Sequence, residues 1–296
     1  ARRRRPPPGA VQTPHAPEAH WSTTASPGAS EAAKQKKTWV GYKAQVSETV
    51  QEKPREKGEP TANFITAMVT QGATESEDAG LAQTLAEQAK VGLGAPATLY
   101  VDAGYVSAPV LAEAQAEGRE LKGPAPRGAE YGRHYSSEAF DVDVEHRRAV
   151  CRQGNASTNC SRLEVEATGK TNYRFEWSTA ACRACPVRAK CVDDRLPHRT
   201  LVVGEHHTLL QARRREMRTE TFREEMKRRN GIEGTHSEMV RGYGLRWARY
   251  RGLAKVRLQN YLIGAACNVA RWFRRLLWLA RQTGAGPPWQ EIAQTA

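Results

Sequence analysis

Apolar and polar residues alternate along the part of the chain that follows residue 37. The segment TWVGYKAQVSETV alternates in this way from Thr38 to Val50, and NFITAMVTQ does so over 63–71. Alternation with a period of two is typical of strands that bury one face. A linker that contains Pro, Gly and charged residues separates the two segments. The pattern predicts an antiparallel hairpin with a long loop.

Helical spacing replaces the alternation after the hairpin. In SEDAGLAQTLAEQAKVG, the residues Leu81, Leu85 and Ala89 recur every four positions behind an acidic first turn, which predicts an amphipathic helix. A short strand in ATLYVDAGY, a helix in APVLAEAQAEG and a strand in RELKGPA follow. The order β, β, α, β, α, β predicts an α/β layer.

Asp102 ends the third predicted strand. Folds built on α/β layers place their chemistry at the carboxyl ends of central strands, so Asp102 is a candidate catalytic residue. A helix or turn cap before Gly104 is the structural alternative, because Asp is favoured at such positions. The strand pattern alone leaves both interpretations open.

Residues 125–204 interrupt the alternation of strands and helices and contain five of the six cysteines. These are Cys151, Cys160, Cys182, Cys185 and Cys191. A C-x2-C pair with further thiols suits tetrahedral Zn²⁺. We expect the last three thiols to converge with Cys151, or with Cys160 as the alternative fourth ligand.

The alternative for this region is a set of reduced, unligated cysteines beneath a small group of strands. In that case the region is held by apolar packing around Phe175, Trp177 and Leu201. The irregular spacing of the thiols is compatible with either interpretation.

The C-terminal part returns to helical spacing. The sequence predicts one charged helix over 206–230 and a longer helix over about 253–280. Six apolar residues of the longer helix share one side, and we expect them to be core contacts against the sheet. They are Leu258, Leu262, Ala265, Val269, Trp272 and Leu276.

The charge balance points to a polyanionic partner. The chain has 45 basic and 32 acidic residues, for a net charge of +13, and ten of the basic residues but no acidic residue lie over 239–281. Tyr243, Trp247 and Tyr250 are interleaved with these arginines, as in surfaces that bind nucleic acids. The alternatives are an anionic membrane surface or a solvated helix face.

Other patterns restrict the class of protein. No apolar run approaches the roughly 20 residues that span a bilayer, and no apolar segment of a secretory signal follows the N-terminal arginines. We therefore expect a cytoplasmic, nucleoid-associated protein with reduced thiols.

Three stretches carry a family resemblance: LYVDAGY, the R-x3-E spacing from Arg229 to Glu233, and the run from EGTHSEMVRGYG to CNVARW. Together they resemble the catalytic C-terminal half of bacterial insertion-sequence transposases of the DDE class, in particular the IS1182-like group. WVGYKAQVSETV, NFITA and the cysteine region are similar to the same group. The resemblance covers roughly residues 11–280.

The resemblance implies a fold and a reaction. The fold would be an α/β, RNase H-like mixed sheet flanked by helices, with a cysteine-rich insertion between the last core strand and the C-terminal helices. Three carboxylates would hold two Mg²⁺ or Mn²⁺ ions for phosphodiester cleavage and strand transfer. Asp102 matches the second acid and Glu233 the third, while Arg229 lies one helical turn before Glu233 and could hold a phosphate.

The chain departs from the family pattern at several positions. Met226 stands where the related signature has Tyr, and Val240 stands where it has Lys, so Arg241 would replace that phosphate contact. An Asp usual in the group is missing from the segment Pro14-His15-Ala16-Pro17. The first acid belongs to a strand ahead of Trp39 that we do not find, so we expect an N-terminally truncated catalytic part.

We expect five segments: a disordered or truncated 1–37, a first core part 38–124, the insertion 125–204, a basic helical part 205–281 and a tail 282–296. Double-stranded DNA, as transposon end and target, is the expected partner of a homodimer in a synaptic complex. The expected DNA contacts are Arg229, Arg241, Arg246, Arg249, Arg251, Lys255 and Arg257. The rivals are a catalytically inactive DNA-binding remnant and a zinc-ribbon regulator that binds DNA through 151–191.

Overall fold

The computed structural model describes residues 10–11, 20–24, 37–51, 55–72, 75–126, 134–166, 169–284 and 286, with side chains from Gly41 onward. The segment 14–17 and the predicted tail beyond residue 286 lie outside these residues. The chain divides into two units. Ala1–Ala95 and Lys227–Ala296 form the first unit, and Pro96–Met226 forms the second.

The described strands of the first unit surround one long strand. In chain order they are β1 (Ala10–Val11), β2 (His20–Thr24), β3 (Lys37–Glu48) and β4 (Ile65–Gly72). β3 pairs antiparallel with each of the others, and its pairing with β4 confirms the predicted hairpin. β1 and β2 lie in the segment for which we predicted no strands. Their backbone groups form hydrogen bonds with β3. Such pairing does not require alternating side chains, so the sequence pattern did not reveal these two strands.

Seven α-helices lie in the described residues. They are α1 (Glu77–Lys90), α2 (Ala108–Ala116), α3 (Thr179–Arg183), α4 (His207–Glu216), α5 (Glu220–Met226), α6 (Gly231–Gly242) and α7 (Leu253–Thr283). The single helix predicted over 206–230 is therefore wrong. The Thr219 hydroxyl donates to the Glu216 carbonyl at 2.7 Å and accepts from the Phe222 N–H at 3.3 Å. These local bonds compete with the helical pattern, so one helix ends and another begins.

The second unit combines a parallel strand pair with antiparallel strands. Its strands are β5 (Thr98–Tyr100), β6 (Glu120–Lys122), β7 (Phe140–Asp143), β8 (Arg148–Cys151), β9 (Asn159–Val165), β10 (Lys170–Glu176) and β11 (Thr200–Gly204). β5 and β6 are parallel and α2 connects them, as the predicted β-α-β order requires. Phe175, Trp177 and Leu201 are buried in the core of β7–β11, so these side chains contribute apolar packing to the region.

The mixed α/β class agrees with the sequence analysis. The hairpin β3–β4 and the pair β5–β6 belong to separate sheets within the described residues. β5 and β6 have only three residues each, and they pair with one another. The single RNase H-like sheet and its insertion therefore remain predictions.

Helix α7 packs against β4 through polar as well as apolar side chains. The Asn268 amide donates to the Ile65 carbonyl and accepts from the Ile65 N–H, both at 2.8 Å. The buried Asn260 amide donates to the Thr70 hydroxyl at 2.8 Å. Gly264 allows close approach, because a Cβ there would lie 2.9 Å from Cγ of Met68. Hydrogen bonding thus satisfies both polar atoms of the Asn268 amide and the amide nitrogen of Asn260.

The face of α7 that we predicted to be core is exposed, and that prediction is wrong. Leu258, Leu262 and Trp272 are 60%, 62% and 51% exposed. The buried face instead contains Asn260 and Arg271 among its apolar residues. The apolar pattern identified the wrong face because the buried face contains polar side chains. These side chains can be buried because they have partners in the sheet and in α6.

Arg271 lies at the centre of a buried ionic network in the first unit. Its guanidinium is 2% exposed and pairs with Glu48 at 3.2 Å and with Glu238 at 2.8 Å. It also donates to the Thr235 hydroxyl at 2.6 Å and to the Asn63 carbonyl at 2.8 Å. One side chain of α7 therefore connects β3, the loop before β4, and α6.

Candidate functional site

Asp102 follows β5 in the second unit and is exposed. The preceding Val101 N–H donates to the Lys122 carbonyl at 2.8 Å, which fixes the end of the strand. Asp102 precedes a short 3-10 helix, Ala103–Tyr105, but its side chain makes no capping hydrogen bond. The cap interpretation of this carboxylate is therefore not supported.

Glu233 lies in the first turn of α6, in the first unit. Its side chain is 69% exposed, and its Oε1 lies 3.6 Å from Nη1 of Arg229. Arg229 belongs to the 3-10 helix Lys227–Asn230, which leads into α6. The two side chains share one face, as their spacing of four predicts.

Asp102 and Glu233 lie in different units, and their convergence on a shared ion remains a prediction. Among the described residues, no group of three or more His, Cys, Asp or Glu side chains is arranged to hold a metal ion. Each carboxylate is nevertheless exposed and supplies the hard oxygen donors that Mg²⁺ prefers.

Six of the seven predicted DNA contacts lie along the end of α6, the loop 243–252 and the first turns of α7, whereas Arg229 precedes α6. Leu245 is buried and anchors the loop. The buried Gln259 amide accepts from the Arg249 N–H at 2.8 Å and donates to the Trp247 carbonyl at 2.7 Å. Trp247 and Tyr250 are about half exposed beside these arginines. The loop therefore presents cations and aromatic faces on a fixed backbone.

A second basic surface, which the sequence analysis missed, is a groove of about 760 Å³ in the first unit. Its cationic lining residues are Arg55, Lys227, Arg228, Arg271, Arg274 and Arg281, and its acidic lining residue is Glu238. Burial opposes ionisation of Glu238, but hydrogen bonds from Arg274 and Arg271 hold the pKa of its carboxyl below the ordinary value. Glu238 therefore stays charged and holds these two arginines in the wall of the groove.

The groove lies against a different face of α6 from Glu233. Gly231, Gly234, Thr235 and Glu238 line the groove at helical spacing, whereas Glu233 is not among the lining residues. A side chain on Gly231 would lie 3.0 Å from Nδ2 of Asn63. The glycine thus lets the loop before β4 approach the helix.

Four cysteines surround one cavity of about 20 Å³ in the second unit. They are Cys151, Cys182, Cys185 and Cys191. Burial raises the pKa of the Cys191 thiol, Arg199 opposes this effect, and the other three thiols add to it. The four side chains are together, although their present positions do not form a ready-made metal site.

Cys160 is not among the residues that line this cavity. It lies on β9, opposite Phe175 of β10, and packs beside the buried core. Burial raises the pKa of the Cys160 thiol, with a smaller opposing effect from Arg147. Of the two alternatives for a fourth thiol, the structure brings Cys151 to the other three.

Residues 150–273 match the family model of the transposase DDE domain. This match supports a DDE transposase. The matched transposase segment contains Glu233, the basic loop and the four cysteines, whereas Asp102 precedes it. Comparison with curated proteins and with solved structures produced no match. No helix in the described residues is long and apolar enough to cross a membrane.

Proposed function

We propose that this chain is the catalytic part of a DDE-class transposase of the IS1182-like group, which cleaves phosphodiester bonds at insertion-sequence ends and joins them to target DNA. The match of residues 150–273 to the transposase DDE domain carries the proposal. The exposed Glu233, paired with Arg229 inside the matched segment, supports its chemistry.

Asp102 and Glu233 would hold Mg²⁺ or Mn²⁺ together with a third acid. Such ions, when bound, activate a water or a 3′-hydroxyl and stabilise the departing oxygen. Arg229 lies beside Glu233 and would hold a non-bridging phosphate oxygen. Arg241 would make a further phosphate contact at the other end of α6.

DNA would contact the basic loop between α6 and α7 and the basic groove. Phosphate neutralisation by arginine and lysine supplies most of the affinity for duplex DNA. The predicted contacts Arg246, Arg249, Arg251, Lys255 and Arg257 have no acidic residue near them in sequence. The exposed Trp247 and Tyr250 would pack against sugars or unpaired bases.

The second candidate function is a catalytically inactive DNA-binding remnant. One observation favours it: no three-acid group is arranged for a metal ion among the described residues. Both candidates require salt-sensitive DNA binding, so catalysis distinguishes them.

We also propose that Cys151, Cys182, Cys185 and Cys191 bind one Zn²⁺. Four thiolates suit tetrahedral zinc, and a cavity of about 20 Å³ has room for a single small ion. The four thiols would draw together on binding, because their positions do not yet form a metal site. The ion would fix α3 and the turn after it beside β8.

DNA binding should depend strongly on salt. Replacing Arg246, Arg249, Arg251 and Lys255 with Ala should flatten the log–log slope of affinity against salt by about 3 to 4, since each duplex phosphate contact contributes about −0.9. Fluorescence anisotropy with a labelled duplex measures this slope. Glu233→Gln should leave the affinity nearly unchanged, because it removes no phosphate contact.

The matched control replaces Arg148, Arg152, Lys170 and Arg174 with Ala. These residues are exposed basic residues of the second unit. The control should change the slope by less than about one. If it flattens the slope more than the loop variant does, DNA binding is centred on the cysteine region, as the zinc-ribbon alternative requires.

Mg²⁺-dependent nicking of supercoiled plasmid tests catalysis. We expect slow nicking that Asp102→Asn and Glu233→Gln each reduce by at least about 100-fold, because each removes a proposed metal ligand. Glu220→Gln is the matched control, since Glu220 is also an exposed helical glutamate with an arginine partner, Arg223. A wild-type chain that binds DNA but never nicks it would be the inactive remnant, and nicking that survives Glu233→Gln would remove this residue from the site.

Purified chain should contain about one Zn²⁺ when measured by elemental analysis. Cys185→Ser and Cys191→Ser should lose most of it, whereas Cys160→Ser should retain it, because Cys160 does not line the cavity. Less than roughly half an equivalent in the wild type would overturn the zinc proposal and leave the apolar core as the stabilising element.

A further inference from the structure

The exposed face of α7 has a regular repeat. Seven apolar positions follow one another at intervals of four, three, four, three, four and three residues. They are Leu258, Leu262, Ala265, Val269, Trp272, Leu276 and Leu279. We call this set the heptad seam, because a spacing that averages 3.5 residues is the signature of helices that pack along one another.

The heptad seam is not used within the described residues. Its exposed large side chains are between 42% and 62% exposed, while the opposite face of α7 is buried through Val256, Ile263 and Cys267. A surface helix normally has one apolar stripe, which faces its own core. The second stripe of α7 therefore indicates a second packing partner.

We propose that the heptad seam pairs with the heptad seam of a second copy of this chain. The seam runs from 258 to 279, which is about 32 Å along a helix. A partner must be a helix of similar length. The other helices in the described part of the chain have at most 14 residues, whereas a second copy supplies another α7 of 31 residues.

The charges beside the seam permit self-association. The flanking positions are Gln259, Tyr261, Ala266, Asn268, Phe273, Arg275 and Ala280. Six of these seven are uncharged, and Arg275 is ion-paired with Glu59. Two chains of net charge +13 can therefore meet along this line without placing unpaired like charges opposite one another.

The exposed area is enough for a specific contact. Leu258, Leu262, Val269, Trp272, Phe273 and Leu279 are each exposed by at least 42%. Their burial would remove on the order of 500 Å² per chain, so a dimer would bury about 1,000 Å², near the lower limit for a biological interface. The repeat and its exposure are independent of the proposed transposase activity.

Sedimentation velocity of the nuclease-treated full chain, at roughly 0.5 M salt to release bound nucleic acid, tests the proposal. The wild type should sediment as a dimer, with twice the 32.8 kDa mass of one chain. The double variant Leu262→Lys, Val269→Lys should weaken dimerisation by at least about 100-fold, because it places charges in the seam.

Two further variants make the result specific. Val91→Lys with Val202→Lys places the same charges at other exposed apolar positions, and this variant should remain a dimer. Leu262→Ala with Val269→Ala places alanine, the strongest helix former, at both sites, so the helical circular dichroism signal should stay unchanged. The loss of apolar contact area should weaken the dimer by about 10-fold. A wild type that is monomeric at roughly 100 µM, or a lysine seam variant that dimerises like the wild type, would overturn the proposal.

Discussion

The buried guanidinium of Arg271 is the interaction on which the first unit depends. Two carboxylates, Glu48 from β3 and Glu238 from α6, neutralise it inside the protein. Removing one partner of a buried ion pair lowers the stability of a protein by about 3–5 kcal/mol. Each of the three side chains is therefore needed by the other two. Because they come from three elements, the network fixes the position of α6 relative to the sheet and α7.

That fixed position gives α6 two surfaces with different chemistry. One presents Glu233 beside Arg229, where the proposed metal ion and a phosphate would lie. The other forms a wall of the basic groove, in which Glu238 orients Arg274 as well as Arg271. The carboxylate that stabilises the fold thus also shapes the surface proposed for DNA, and the proposed catalytic glutamate takes no part in the buried network.

The sequence predicted the elements that depend on local pattern. Alternation identified the hairpin β3–β4, and the apolar spacing of Leu81, Leu85 and Ala89 identified α1. The buried face of α7 could not be found in this way, because Asn260 and Asn268 bury polar groups whose partners lie about 200 positions away in the chain. The groove was missed for the same reason, since tertiary packing joins its distant segments. The thiol spacing grouped Cys182, Cys185 and Cys191, but only the fold separates Cys151, which lines the same cavity, from Cys160, which does not.

The central claim is that Asp102 and Glu233 hold the same ion, although they lie in different units. Paramagnetic broadening by Mn²⁺ of the amide signals of Gly104 and Gly234 tests it most directly, because broadening requires proximity to the bound ion. The account predicts that both signals broaden together during one titration, and that Glu233→Gln reduces the broadening at Gly104. Broadening of Gly104 that is unaffected by Glu233→Gln, or broadening of only one of the two signals, would contradict it.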